Sequence, residues 1–140
     1  TRQAPSLFMS LPAYNSYWVP GNVENIYWTN NNLPIGTNLD LEWSEDGGST
    51  YSPIASVTVN KVSPNYAWTV PTPSTLPNTD TKVRVKTTSG SPNAQTSNFT
   101  ITNTPPSISI TTPNGGESYA IGQTIPITFT ASNLPSGEPM

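Results

Sequence analysis

The chain has 140 residues, a third of them apolar, and its five basic and eight acidic side chains give a formal charge of −3. That supports one modest hydrophobic core. It excludes two kinds of partner: five scattered cations cannot neutralise a nucleic-acid backbone, and no apolar run approaches the ~18 residues that cross a bilayer, so neither nucleic-acid binding nor direct membrane insertion is expected. Cysteine and histidine are both absent, which removes thiolate nucleophiles, Ser-His and Cys-His pairs and the usual zinc or transition-metal sites.

Sixteen prolines break helices, and no window repeats apolar residues at helical spacing over three turns. The expected fold class is therefore all-β. The composition is rich in Ser, Thr and Asn, poor in Lys and low in charge, which separates it from a highly charged disordered tail and points to an extracellular or cell-surface setting. The first residue is Thr1 rather than Met, which points to a processed protein or to a segment of a longer one.

In chain order, period-two alternation between turn residues predicts strands over Ser6–Leu11, Asn25–Thr29, Asn38–Ser44, Tyr51–Val59, Tyr66–Val70, Lys82–Thr87 and Ser97–Thr102. Leu39, Leu41 and Trp43 should face a core, with Asp40, Glu42 and Ser44 toward water. Val83 and Val85 should point inward between Lys82, Arg84 and Lys86, while Tyr66, Trp68 and Val70 share one face and Phe99 and Ile101 another. Seven short strands at this spacing predict a two-sheet sandwich of immunoglobulin-like type over 1–104. Pro12, Pro20 and Pro53 would cap or interrupt its edges.

Candidate functional residues fall in three groups. Tyr14, Tyr17 and Trp18 cluster after the first strand, and Tyr27 points away from Trp28; Tyr14, Tyr17 and Tyr27 are a candidate patch for a polysaccharide, because flat rings stack on sugars. Trp18 reads as packing. Asp40, Glu42, Glu45 and Asp46 form the acidic cluster from which a hydrolase pair or a calcium site would have to come, and solvated strand and turn charges are the simpler account. Asn98-Phe99-Thr100 matches a glycosylation acceptor. No catalytic residue, metal or cofactor is assigned.

Residues 44–51 read SEDGGSTY, which resembles the Asp-box of sialidase-type β-propellers. Only one copy is present, without the strand repeats of a propeller. The physical reading is a hairpin staple in which Ser44, Asp46, Gly48 and Tyr51 hold the turn: Asp46 accepts amide hydrogens of its own loop, Gly47 and Gly48 take positive φ, and Tyr51 packs over the base.

Beyond Thr104 and the stiff Pro105-Pro106 linker the sequence repeats. Ser6–Pro12 lies over Ser107–Pro113, Trp18 over Tyr119, Gly21 over Gly122, Ile26 over Ile127, Trp28 over Phe129, Leu33-Pro34 over Leu134-Pro135 and Gly36 over Gly137, always 101 positions apart. The chain is thus read as one complete module followed, over 107–140, by the first strands of a second, completed either by further chain or by a neighbouring subunit. At its opening the first copy has Ala13-Tyr14-Asn15-Ser16 where the second has Asn114-Gly115-Gly116-Glu117, so a tight turn would be lost there.

Taken together, PNGGESY, IPITFT, SEDGGSTY, AWTVP and VRV resemble the Ig-like module of the Kre9/Knh1 type, found in tandem in secreted and surface proteins of bacteria and archaea. The resemblance implies a non-enzymatic stalk, filament or adhesin segment whose partners are neighbouring modules or other copies of itself. Two further readings are a carbohydrate-binding accessory module of a secreted hydrolase, and a filament subunit exchanging strands through 107–140.

Overall fold

A computed structural model of the chain describes residues 3–60 and 64–134. The repeat pairs that involve Pro135 and Gly137 lie outside the described residues. Two compact units are present, Thr1–Asn103 and Thr104–Met140.

The first unit is built from β1 (Ser6–Leu11), β2 (Tyr17–Trp18), β3 (Val23–Asn31), β4 (Asn38–Ser44), β5 (Ser52–Thr58), β6 (Asn65–Thr69), β7 (Asn78–Thr87), β8 (Asn93–Gln95) and β9 (Phe99–Ile101). One sheet has the order β1-β3-β6, and the other β2-β9-β7-β4-β5 with β8 also on β7. Every pair in this unit is antiparallel except β2 with β9, which run parallel with Tyr17 beside Thr100 and Trp18 beside Ile101. The protein is an all-β sandwich. Among the described residues of this unit nine strands stand where the alternation predicted seven, because β2, of two residues, and β8, of three, are too short to show a period.

The core lies between the sheets. Met9, Ile26, Trp28 and Trp68 from one sheet meet Leu39, Leu41, Val83, Val85, Phe99 and Ile101 from the other. Leu39, Leu41, Val83, Val85, Trp68, Phe99 and Ile101 are among the residues that the alternation placed on inward or shared faces, whereas Trp43, also expected inward, is only partly buried; each fully buried Leu or Ile contributes roughly 1.5–3 kcal/mol. Trp18 packs 5.1 Å from Phe99 and 6.1 Å, edge-on, from Trp68, whose other neighbour is Trp43 at 5.9 Å. An aromatic chain thus ties the layers together, and Trp18 is buried packing. Pro53 sits at the β4–β5 bulge, opposite Glu42, on the edge strand of the larger sheet, where a missing donor costs no ladder bond.

Ser44 departs from its expected position. It is buried rather than facing water, while Trp43 is only half-buried. The bulge in the β4–β5 pairing lies on β5 at Ile54, and β4 keeps an unbroken register with β7 from Leu39 to Ser44; Ser44 is covered instead by its own following turn, whose Asp46 and Gly48 bond its hydroxyl.

The second unit is described by itself. β10 (Ser107–Thr112) and β11 (Thr128–Ser132) form a two-stranded antiparallel ribbon. Ser107 pairs with Ser132, Ser109 with Thr130, Ile110 with Phe129 and Thr112 with Thr128. Moved back by 101 positions, these are the β1–β3 pairs Ser6–Asn31, Phe8–Thr29, Met9–Trp28 and Leu11–Tyr27, with the register shift at the same place. Asn32 and Asn133, which end the two ribbons, have φ of 58° and 56°. The opening turn of the first copy is retained, contrary to expectation: Ser16 N–H donates to Ala13 O at 3.2 Å, and Asn15, standing where the second copy has Gly116, takes the left-handed φ of 61° that asparagine tolerates.

Candidate functional site

The hairpin that closes β4 onto β5 is built around Ser44. Its hydroxyl donates to Asp46 Oδ1 at 2.7 Å and accepts the N–H groups of Gly48 at 2.8 Å and Asp46 at 3.2 Å. Burial of Ser44 therefore leaves no unsatisfied polar group. The Asp46 carboxylate accepts Thr50 N–H at 2.8 Å and the Thr50 hydroxyl at 2.6 Å. The Thr50 hydroxyl and amide, with the Ser44 hydroxyl, hold this carboxyl far below the usual carboxylate range.

Gly47 and Gly48 have φ of 73° and 96°. Gly47 N–H donates to Asp80 O at 2.8 Å, tying the loop to β7. A Cβ on Gly48 would stand 3.1 Å from the Tyr51 hydroxyl. That hydroxyl donates to Gln95 Oε1 at 2.6 Å, and the Tyr51 ring carries the Arg84 guanidinium 3.6 Å from its centre. Arg84 Nε in turn donates to Glu42 at 2.9 Å, and Lys86 Nζ lies 3.1 Å from the same carboxylate. Ser44, Asp46, Gly48 and Thr50 thus form one hydrogen-bonded turn, and Tyr51, just before β5, makes a separate bridge to Arg84 on β7 and Gln95 on β8. Burial pushes the Tyr51 phenol up, and although burial acts to raise Glu42, hydrogen bonds from Arg84 and Lys86 bring its carboxyl below the ordinary value.

The other two acidic side chains of the cluster are also engaged. Asp40 accepts the Ser56 hydroxyl at 2.8 Å, and Glu45 accepts Ser74 N–H at 2.9 Å. A glycosidase general acid needs a raised carboxyl pKa. Asp46 and Glu42 are displaced the other way. Among the described residues no group of three His, Cys, Asp or Glu side chains is placed to hold a metal.

Tyr14, Tyr17 and Tyr27 are not brought together by any ring contact among the described residues. Tyr14 stands 71% exposed in the turn after β1, Tyr17 is on β2 in the larger sheet, and Tyr27 is on β3 in the smaller sheet, opposite Leu11 and Asn65. Asn98 is half-buried and donates from Nδ2 to Asp80 Oδ1 at 3.1 Å.

Two clefts went unseen in the sequence because they depend on tertiary packing. One, about 380 Å³, is lined by Trp28, Leu39, Val57, Thr58 and Asn65 among others, with no ionisable side chain among the described residues. The buried Trp28 Nε1 finds no acceptor among the described residues. The second, also about 380 Å³, lies beside the hairpin between Trp43, Glu45, Thr50 and Ser74, and Glu45 is its single ionisable group among the described residues. Neither supplies the paired carboxylates or nucleophile–base pair that hydrolysis uses.

Compared with known proteins, no family model matches the chain and no curated protein shows significant similarity to it.

Proposed function

We propose that this chain is a non-enzymatic structural segment built of duplicated sandwich modules of the Ig-like, Kre9/Knh1 type, serving as a stalk, filament or adhesin section at a cell surface. The observation that carries the reading is the duplication itself, since β10–β11 repeat the β1–β3 pairing residue for residue at a spacing of 101. A repeated unit is the usual means of adding length. The commitment of Asp46, Glu42, Asp40 and Glu45 to hydrogen bonds within the module supports a structural use of the acidic cluster.

The mechanism would be mechanical. β2, near the start of the first unit, lies parallel to β9, at its end. Thr100 N–H donates to Ser16 O and Thr102 N–H to Trp18 O, each at 2.9 Å. Tension applied to the two ends pulls these parallel strands in opposite directions, so the bonds are loaded together in shear rather than opened one by one. The polysaccharide reading has weaker support, because Tyr14, Tyr17 and Tyr27 occupy a turn and two different sheets.

Labelling of intact source cells with an antibody to the first unit, with the denatured chain mass and native particle size measured in parallel, tests the proposal. Surface label on a long repeat chain or on a polymer is expected; label confined to the cell interior would overturn it.

A further inference from the structure

The cleft beside the 44–51 hairpin forms where the inner row of β4 runs out. Leu39 and Leu41 in that row are buried, but Trp43, next to the last residue of the strand, is only partly buried and stands in the cleft wall. Trp68 braces it from 5.9 Å, so the ring is in place before a ligand arrives. Glu45 is fixed twice: its Oε2 accepts Ser74 N–H at 2.9 Å, and its main-chain oxygen accepts Asn78 Nδ2 at 3.0 Å. The other carboxylate oxygen, Oε1, receives no donor among the described residues. The exposed hydroxyls of Ser52, Thr72 and Ser74, which also line the cleft, make no hydrogen bond among those residues either. Thr50 donates its hydroxyl to Asp46 and keeps lone pairs toward other donors.

We infer that this cleft binds a neutral pyranose unit of a glycan. The lining selects among ligand classes. Glu45, its single ionisable group among the described residues, repels an anion. A cation is drawn to Glu45 and Trp43 but offers no acceptor to the Ser and Thr hydroxyls. A sugar does both: its hydroxyls donate to Glu45 Oε1 and exchange hydrogen bonds with Ser52, Thr72 and Ser74, while the apolar face of its ring covers the indole of Trp43. The cleft, about 380 Å³, falls within the ~300–1,000 Å³ of small-molecule sites. One stacked ring and a few hydrogen bonds in an open cleft correspond to a Kd of about 1 mM. The site uses none of Tyr14, Tyr17 and Tyr27. It also stands apart from the cell-surface reading, which a negative result here would leave untouched.

Saturation-transfer NMR on the full 140-residue chain, with the methyl pyranosides of glucose, galactose, mannose and N-acetylglucosamine as probes, is the test. At least one should receive saturation, strongest at the ring C–H protons that meet the indole. Glu45→Gln keeps an acceptor for Ser74 N–H and should weaken that sugar about tenfold. Trp43→Phe keeps a ring against Trp68 but shrinks the stacking face, and should weaken it about threefold. Tyr27→Ala, on the smaller sheet, should leave binding unchanged. The indole N–H signals of Trp18, Trp28 and Trp68, read on the same samples, certify that each variant is folded. No transfer to any of the four sugars at about 10 mM, equal binding by wild type and both cleft variants, or loss of binding in Tyr27→Ala would overturn the inference. So would stronger saturation of tetramethylammonium than of any sugar, which would reassign the cleft to cations.

Discussion

At the scale of single residues, the turn at 44–51 shows how backbone geometry sets its own requirements. Gly48→Ala meets two obstacles, the left-handed φ and the Tyr51 hydroxyl 3.1 Å from the new methyl. Gly47→Ala meets only the first. Urea unfolding should give losses of about 2 kcal/mol for the former and about 1 kcal/mol for the latter. Asp46 makes a separate prediction. Its folded pKa lies below its unfolded value, near 3.9. The stabilisation is therefore fully present above that value and is lost as pH falls toward the folded pKa. Below about pH 4 the wild-type midpoint should drop steeply, and Asp46→Asn should start lower at pH 7 and show a shallower acid slope.

Among the strands, burial separates apolar positions of similar size. Leu41 is fully buried in β4, and Leu41→Ala should cost about 2–5 kcal/mol in unfolding of the first unit. Ile110→Ala, on the open ribbon face, should change that transition by less than about 0.5 kcal/mol. The strands that could be read from sequence were those with an apolar period: β1 and β4 match their predicted limits. β7 begins four residues earlier than Lys82 because its first turn into the sheet is polar. Asn78 and Thr81 are buried there through hydrogen bonds, Asn78 Nδ2 to Glu45 O at 3.0 Å and the Thr81 hydroxyl to Asn78 Oδ1 at 3.2 Å. Apolar patterning cannot register such residues. The site was legible in the same measure: SEDGGSTY disclosed the turn and its donors, but the reach of Tyr51 to Gln95 spans 44 positions and belongs to the tertiary fold.

At the scale of the whole molecule, the two units should differ in cooperativity. The first has two sheets around one core and the second has two strands. Amide hydrogens of β10 and β11 should exchange orders of magnitude faster than those of Leu41, Val83 and Val85, as read by mass spectrometry at neutral pH. Equal protection in both units would show that the ribbon is covered.

The turn that opens the second copy also bears on chemical ageing. Asn114 is followed by Gly115, the dipeptide in which a backbone nitrogen most readily attacks the preceding side-chain amide, expelling ammonia and leaving a succinimide that hydrolyses to aspartate and isoaspartate. The attacking nitrogen is that of Gly115, and its N–H is engaged by Glu117 Oε2 at 2.7 Å. That bond fixes the Gly115 N–H within the turn and restrains the backbone rotation that attack on the amide carbon requires. Glu117→Ala should therefore accelerate isoaspartate formation at Asn114 on storage at mildly alkaline pH, followed by peptide mapping, so the carboxylate that shapes this turn also sets how long its asparagine survives.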